Sequence, residues 1–437
     1  MTTAIRDAES KLLELHGKFR AASSLLPLAE AAALRFAALR YPGKKHEMFT
    51  FARLNELRDT AFDYRTGPPK AADAGLARKH IYAGCDKSVI VMVDGKYDAG
   101  LSDVSGMTGQ VSVVPLEQYA SGEANMRRLV ADIETETDVF ACLNSMFSGG
   151  GVAVEIKKGA RPVAPLQILH LSTGGAPNIA TSPRVVMDAG ADSSVQLIIR
   201  FAGIGEGYFV NSVCDLRIGE GAAVHLSQVQ GDPARAWHFS KTRVFVAKDG
   251  RFDAVSASTG GRLARHHWEC RLQGEGAALT LRAASILEGT EQAHHYTRVH
   301  HEKPNTTSYE LYKNMLNGSS VSSVDTTVTV HPGAQLAVSE QLINNLMLSE
   351  TAKANTKPNL TIFADDVKCK HGATVGRIDE AQVFYLMSRG LSEKLAKALL
   401  TTSFAKSVLN AMPHKPAAED AGKLLLKKLE ALGIELA

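Results

Sequence analysis

The chain has 437 residues, 45% hydrophobic and 22% charged, with 49 Lys and Arg against 46 Asp and Glu for a net charge of +3. Mixed charge excludes a dedicated nucleic-acid surface, because Lys44-Lys45, Lys157-Lys158 and Lys427-Lys428 are too short to form a basic patch. The first turns carry Arg6, Asp7, Glu9, Lys11 and Glu14, and no apolar run is long enough to span a membrane, so neither a signal peptide nor a membrane partner is expected and the location is read as cytoplasmic.

Residues 5–40 read as a helix rich in leucine and alanine, ended by YPGKKH. Residues 45–150 are mixed. SVIVMVDGKYD predicts a hairpin turning at Asp94-Gly95, and ADIETETDVFACLNSMF predicts a helix. Residues 1–150 therefore read as an N-terminal helical and mixed cap, closing one end of the core formed by the middle of the chain.

From residue 151 the chain repeats. Gly-Ala recurs at Gly159, Gly190, Gly221, Gly276, Gly333 and Gly372, with Gly250-Arg251 as a variant copy; the intervals are 31, 31, 29, 26, 57 and 39 residues. The 57 reads as two periods with a degenerate copy between them. β-like runs flank each copy, as in RVVMDAGADSSVQLIIRF, and a period of this size indicates a solenoid. Glycine suits a tight corner because it reaches positive φ without steric cost. The residues three before each glycine, Ile156, Met187, Ile218, Ala247, Gln273, Val330 and Cys369, are mostly apolar, as an inward column should be. Residues 151–377 are thus expected to form a mainly β, parallel β-helix core, in preference to a β-sandwich, whose turns would not repeat one dipeptide.

Beyond Gly376 the period becomes helical. Asp379 can cap a helix over EAQVFYLMSR that Gly390 stops, Ser392 can cap a second, and Pro413 and Pro416 precede a last amphipathic stretch, KLLLKKLEALGIEL. Residues 378–437 read as a C-terminal helical docking module.

The chemistry-bearing candidates are few. His294, His295, His300 and His301, with His266 and His267, form the densest histidine group, but six residues of strand span about 20 Å, too far to share one ion. A polar face of the solenoid is the expected place for them. Cys369 and His371 stand two apart inside ADDVKCKHGATVG, so one strand face can carry both, and thiol and imidazole suit iron, zinc or a persulfide relay. Asp365-Asp366 point to opposite faces if extended, which favours a turn over a shared cation. Five separated cysteines suggest neither a disulfide framework nor a CxxC zinc site. No phosphate loop, HExxH or GxSxG is present, and GIGEG at 203–207 lies between strands instead of opening a helix.

The segments HHEKPNTTSYELYKNML (300–316) and VTVHPGAQ through FYLMSRG (328–390) resemble the SufB/SufD family of iron–sulfur cluster assembly proteins, with CKHGATVG closer to the SufD branch. The resemblance implies a right-handed parallel β-helix between helical regions. It also implies a scaffold subunit that pairs with a SufB-like paralogue and a SufC-like ABC-type ATPase, docked on the C-terminal helices. ATP hydrolysis would belong to that partner, and the chain itself would be no enzyme. His371 and Cys369 match the family's CxHGAT motif, which implies a transient iron–sulfur cluster at the subunit interface, with His371 as an iron ligand. His301, Ser308 and Lys313 match a second stretch, whereas Asp325 departs from the family pattern. Similar folds of the two paralogues imply a homodimer when the SufB-like partner is missing. A purely structural subunit is the alternative; a carbohydrate-active β-helix enzyme is remote, since only 6% of residues are aromatic.

Overall fold

The computed structural model describes residues 3–19, 23–43, 46–64, 74–174, 178–205 and 207–431. Lys44-Lys45, Glu206 of the GIGEG segment and the last five residues of the terminal amphipathic stretch lie outside them.

Successive strands alternate between two sheets. From Arg184–Ala189 onward, one strand of each coil joins an 11-stranded sheet and the next joins a 10-stranded sheet, and strands two apart in sequence pair in parallel. The result is the expected parallel β-solenoid. Register is unbroken over its second half: Ile218, Val246, Leu272, His301, Val330 and Ile362 stand one above another. This differs from the column read off the glycines. It keeps Ile156, Ile218 and Val330, replaces the others by residues one or two positions away, and excludes Cys369, which belongs to the opposite sheet.

The corners explain the shift. The residue in left-handed conformation is glycine at Gly159, Gly221 and Gly276, but at alternate corners it is Asp192, Asp249, Asn305 or Leu336. Short polar side chains tolerate that conformation through local hydrogen bonds. The backbone N–H of each of these residues donates to a carbonyl of the next coil, as Gly221 does to Lys248 at 2.9 Å and Asn305 to Gln335 at 3.0 Å. Asn305 is the degenerate copy inside the 57-residue interval. Gly372-Ala373 is not a corner at all: it lies mid-strand in Lys368–Gly376, paired with Leu342 and Ile343.

Two antiparallel strands close the first end. Lys96–Asp103 pairs with Val89–Val93 through the expected Asp94-Gly95 turn, whose residues have φ of 45° and 86°, and Val111–Pro115 pairs with Val152–Ile156. The N-terminal helices instead lie across the outer face of the 11-stranded sheet, where Phe36, Phe140 and Leu143 pack on Phe209, Trp237 and Phe239. Both long helices expected there are broken in two. Thr3–Lys18 and Leu26–Leu39 are separated ahead of Pro27, which sits in the first turn of the second; Glu123–Glu134 and Val139–Met146 are separated where the Asp138 carboxylate caps the Phe140 N–H.

Charges bind these helices to the sheet. Asp215, on the sheet itself, holds Arg184 at 2.8 Å and Arg243 at 2.6 Å, and these donate onward to Ser145 and the Asp132 carbonyl of the helices; Asp138 accepts from Arg265 at 2.6 Å, and Lys241 bridges Glu136 and Glu269; of the charged groups named, all but Glu269 are almost completely buried. Flanking guanidinium groups hold Asp215 and Asp138 below the usual carboxylate range, overcoming the burial that would raise them.

At the other end of the chain, Asp379 and Ser392 cap Glu380–Ser388 and Glu393–Leu409 through their side chains, with Gly390 at φ 91° between, as expected. Lys415–Ala431 starts earlier than expected because Pro416 fits its first turn. The last two helices cover the outer face of the 10-stranded sheet, with Val408, Leu409 and Leu425 against Val255, Ile286 and Met315.

These burials have two measurable consequences. Asp215→Ala leaves Arg184 and Arg243 buried beside an empty site and is expected to cost about 3–5 kcal/mol, read from the shift in denaturant midpoint. Burial lowers His170 and His294 to about 3 and His267, His295 and His301 to about 4 from a usual 6.5. The unfolded chain therefore takes up protons that the folded chain refuses, so this stability is present above pH 6.5 and lost as pH falls toward 4. Each such histidine contributes up to about 1.4 kcal/mol per pH unit. Denaturant midpoints at about pH 7.5, 6.5 and 5.5 should already decline before the carboxylates begin to titrate.

Candidate functional site

Among the described residues no strand pairs beyond the solenoid's second end. Lys353–Ile362 and Lys368–Gly376 are the last strands of the two sheets, so each leaves one backbone edge unpaired by any other described strand. Ile362, Phe363, Leu336, Val338 and Val375 are exposed at this end, an apolar rim that an isolated chain leaves in water.

The two sequence candidates lie on this edge. Cys369 and His371 are alternate residues of Lys368–Gly376, in register with Ser339 and Gln341, and so share one strand face. Cys369 packs against the solenoid core and is partly buried, while His371 is exposed. Lys370, between them, faces the other way and pairs with Glu340 at 3.1 Å. Burial raises the Cys369 thiol above its usual value, only partly offset by a hydrogen bond from the Ser339 backbone, so the sulfur is held as a thiol. Among the described residues no cationic neighbour lowers it, as a persulfide carrier would require.

Inward from this edge the interior changes character. The columns that carry Phe252 and Leu279, then Ala254 and Leu281, continue in the last coils as Ser308 and Ser339, then Glu310 and Gln341, before reaching Cys369 and His371. Glu310 is fully buried and accepts from Thr326 Oγ1 at 2.5 Å and Tyr312 Oη at 3.0 Å; Tyr312 in turn contacts Thr297 Oγ1 at 2.7 Å. His301, in the opposite sheet, bonds Thr306 and Ser308 at 2.8 and 2.9 Å, and Ser308 bonds Ser339 at 3.0 Å. A continuous apolar core thus gives way to a hydrogen-bonded polar one behind the open end.

The histidine group separates as the strand alternation dictates. His266, His295 and His301 point into the solenoid, with the His266 and His295 rings stacked at 5.3 Å between centroids. His267 and His294 lie under the N-terminal helices, bonded to Asp138 and Ser323, and only His300 is partly exposed, 3.5 Å from His331. All but His300 are buried, on the inner or the helix-covered face of the sheet. Of the second matched stretch, His301 and Ser308 belong to the interior, while Lys313 reaches outward to Ser407 at 2.7 Å and lies over the Phe404 ring, tying the C-terminal helix to the sheet. Asp325 pairs with Arg298 at 2.9 Å. Asp365 and Asp366 are exposed in the last corner, where the Asp366 N–H donates to Gln335, a turn role as expected. Among the described residues no three His, Cys, Asp or Glu side chains gather to hold a metal.

Glu310 and Gln341 are not apparent from sequence. SYELYKNML alternates like any strand, and only register shows that its polar set, not its apolar set, faces inward.

The family model for the SUF system FeS cluster assembly SufBD core domain matches residues 171–404, from the first coils to the helix that packs on them. The chain belongs to the SufBD family. It is 28% identical over 404 residues to an iron-sulfur cluster assembly SufBD family protein of Synechocystis, covering 90% of this chain and 88% of that relative. It is 26% identical over 376 residues to the Escherichia coli iron-sulfur cluster assembly protein SufD, covering 85% of each. A chloroplastic Arabidopsis thaliana protein, ABCI7, is 27% identical over 65% of this chain and 62% of its own length. Among the described residues no helix is long and apolar enough to cross a membrane.

Cys85, Cys142, Cys214 and Cys270 are buried, and only Cys369 reaches the surface. A disulfide reagent such as Ellman's should therefore label one of the five thiols in the native chain and all five in guanidinium. Cys369→Ser should abolish the native label, and the Cys369 rate should fall below that of a free thiol at about pH 7.5.

Proposed function

We propose that this SufBD chain is a non-catalytic, cytoplasmic scaffold subunit of an iron–sulfur cluster assembly complex, pairing through its open solenoid end with a SufB-like paralogue. The observation that carries this reading is His371, an exposed imidazole on the terminal edge strand, beside an apolar rim and, among the described residues, with no metal-binding set of its own. Unpaired parallel edges and exposed apolar side chains fit a partner that continues the sheets. Without that partner, the same edge pairs with a second copy of the chain.

In this assembly His371 donates a neutral imidazole lone pair to iron of a nascent cluster, which is cargo and not a resident cofactor. Partner thiolates supply the remaining ligands. An imidazole suits a transient site because it binds iron without bridging and leaves more readily than a thiolate shared between two irons. ATP hydrolysis belongs to a SufC-like ABC-type ATPase docked on the C-terminal helices, whose Phe384 and Tyr385 are exposed. For Cys369 the structural alternative is favoured, because the side chain packs on the core and its thiol stays protonated.

Anaerobic affinity purification of the tagged chain from its native cell tests the reading. The expected result is co-purification of a β-solenoid paralogue and an ABC-type ATPase with bound iron and sulfide. In the His371→Ala form, iron should fall at least about tenfold, the scale of a lost metal contact, while both partners still co-purify. Full iron in that variant sinks the ligand role; recovery of the chain alone sinks the scaffold role.

A further inference from the structure

Gln341 is fully buried, and its amide orientation is forced by its neighbours. Nε2 donates to Glu310 Oε1 at 3.3 Å and to Thr326 Oγ1 at 3.0 Å. Thr326 commits its own hydroxyl proton to Glu310 Oε2, at 2.5 Å, so toward Gln341 it can only accept. Flipping the amide would set its oxygen against the carboxylate of Glu310 and the lone pairs of Thr326. The carbonyl oxygen of Gln341 is consequently left over, and Oε1 is buried without a donor. A buried acceptor in that state costs on the order of 1–3 kcal/mol unless a donor reaches it.

Register places a donor next to it. In the 10-stranded sheet Gln341 lies between Glu310 on one side and His371 on the other, on the same strand face. Neighbouring strands are about 4.8 Å apart, a distance at which stacked polar side chains of one column hydrogen-bond. Glu310 already takes the amide nitrogen. His371 is the next ladder position on the remaining side, and its ring carries an N–H when neutral.

We propose that Gln341 is the positioning residue for His371: its Oε1 accepts the proton of one ring nitrogen, which fixes the tautomer and turns the other nitrogen's lone pair out of the open end. The Thr297–Tyr312–Glu310–Thr326 network is the anchor that keeps the amide from flipping. Metal-binding imidazoles are commonly held this way by an acceptor on their second nitrogen. The inference rests on the iron-ligand reading of His371 for its consequence, but the tautomer is set with or without iron.

The test uses the full chain labelled with 15N-histidine. Ring nitrogen shifts report the tautomer, and His371 signals are assigned by their loss in His371→Ala. Wild-type His371 should show a single dominant tautomer, and Gln341→Leu should show both. The double exchange Glu310→Gln with Gln341→Glu keeps an acceptor toward His371 and should restore the single tautomer, which a merely structural role of Gln341 does not predict. In the complex with the partner that supplies the remaining ligands, ferrous iron should bind the Gln341→Leu form about 10–100-fold more weakly than wild type, with recovery in the exchange variant.

An unchanged tautomer ratio in Gln341→Leu overturns the inference whatever happens to iron. If Gln341→Leu does not fold, the wild-type spectrum decides, since a wild-type ring divided between tautomers equally overturns it. A tautomer that responds as expected, with iron binding unaffected by His371→Ala, upholds the positioning role and removes the ligand role instead.

Discussion

Each strand of the solenoid pairs its backbone with the strands of the coils before and after it, so every strand residue is held in a column chosen by register. Ile218, Val246, Leu272, His301 and Val330 are neighbours for this reason alone, although nearly thirty residues separate each from the next. Such stacking makes the buried face continuous and leaves no coil stable by itself. It also means that polarity in one column propagates, and Leu281 gives way to Glu310, Gln341 and His371 along a single line.

A stack of parallel strands has two outer faces and two ends, and this chain deals with three of the four. Helices cover one face through aromatic packing and the buried Asp138 and Glu136 ion pairs, and the other through Val408, Leu409 and Leu425. Buried ion pairs add little net stability over apolar packing, but they fail badly when one partner is lost. They therefore fix the placement of the N-terminal helices more than they strengthen the fold. Antiparallel strands blunt the first end. The second keeps its edges, and the residues placed there are Cys369 and His371.

The polar interior behind that end has a physical logic of its own. Burying Glu310 is costly unless it is hydrogen-bonded, and Thr326, Tyr312 and Gln341 all donate to it. A network so connected is rigid, and rigidity next to an exposed imidazole supplies orientation. Cys369 has the reverse environment, since contact with the apolar core raises its thiol. Two residues two positions apart are thereby given different chemistry by depth.

Much of this was legible in the sequence. The repeat of Gly-Ala announced a solenoid, Asp94-Gly95 a hairpin, and Asp379, Gly390 and Ser392 the helix boundaries, because corners, turns and caps are local and each demands a particular residue type. The spacing of Cys369 and His371 likewise placed them on one strand face. Tertiary structure alone decided which face looked inward, that Asp192 and Asn305 replace glycine at their corners, that Gly372 is mid-strand, and that Glu310 and Gln341 line up behind His371. Those facts depend on register between strands about thirty residues apart, and a hydrogen bond between coils leaves no mark on the local order of the chain.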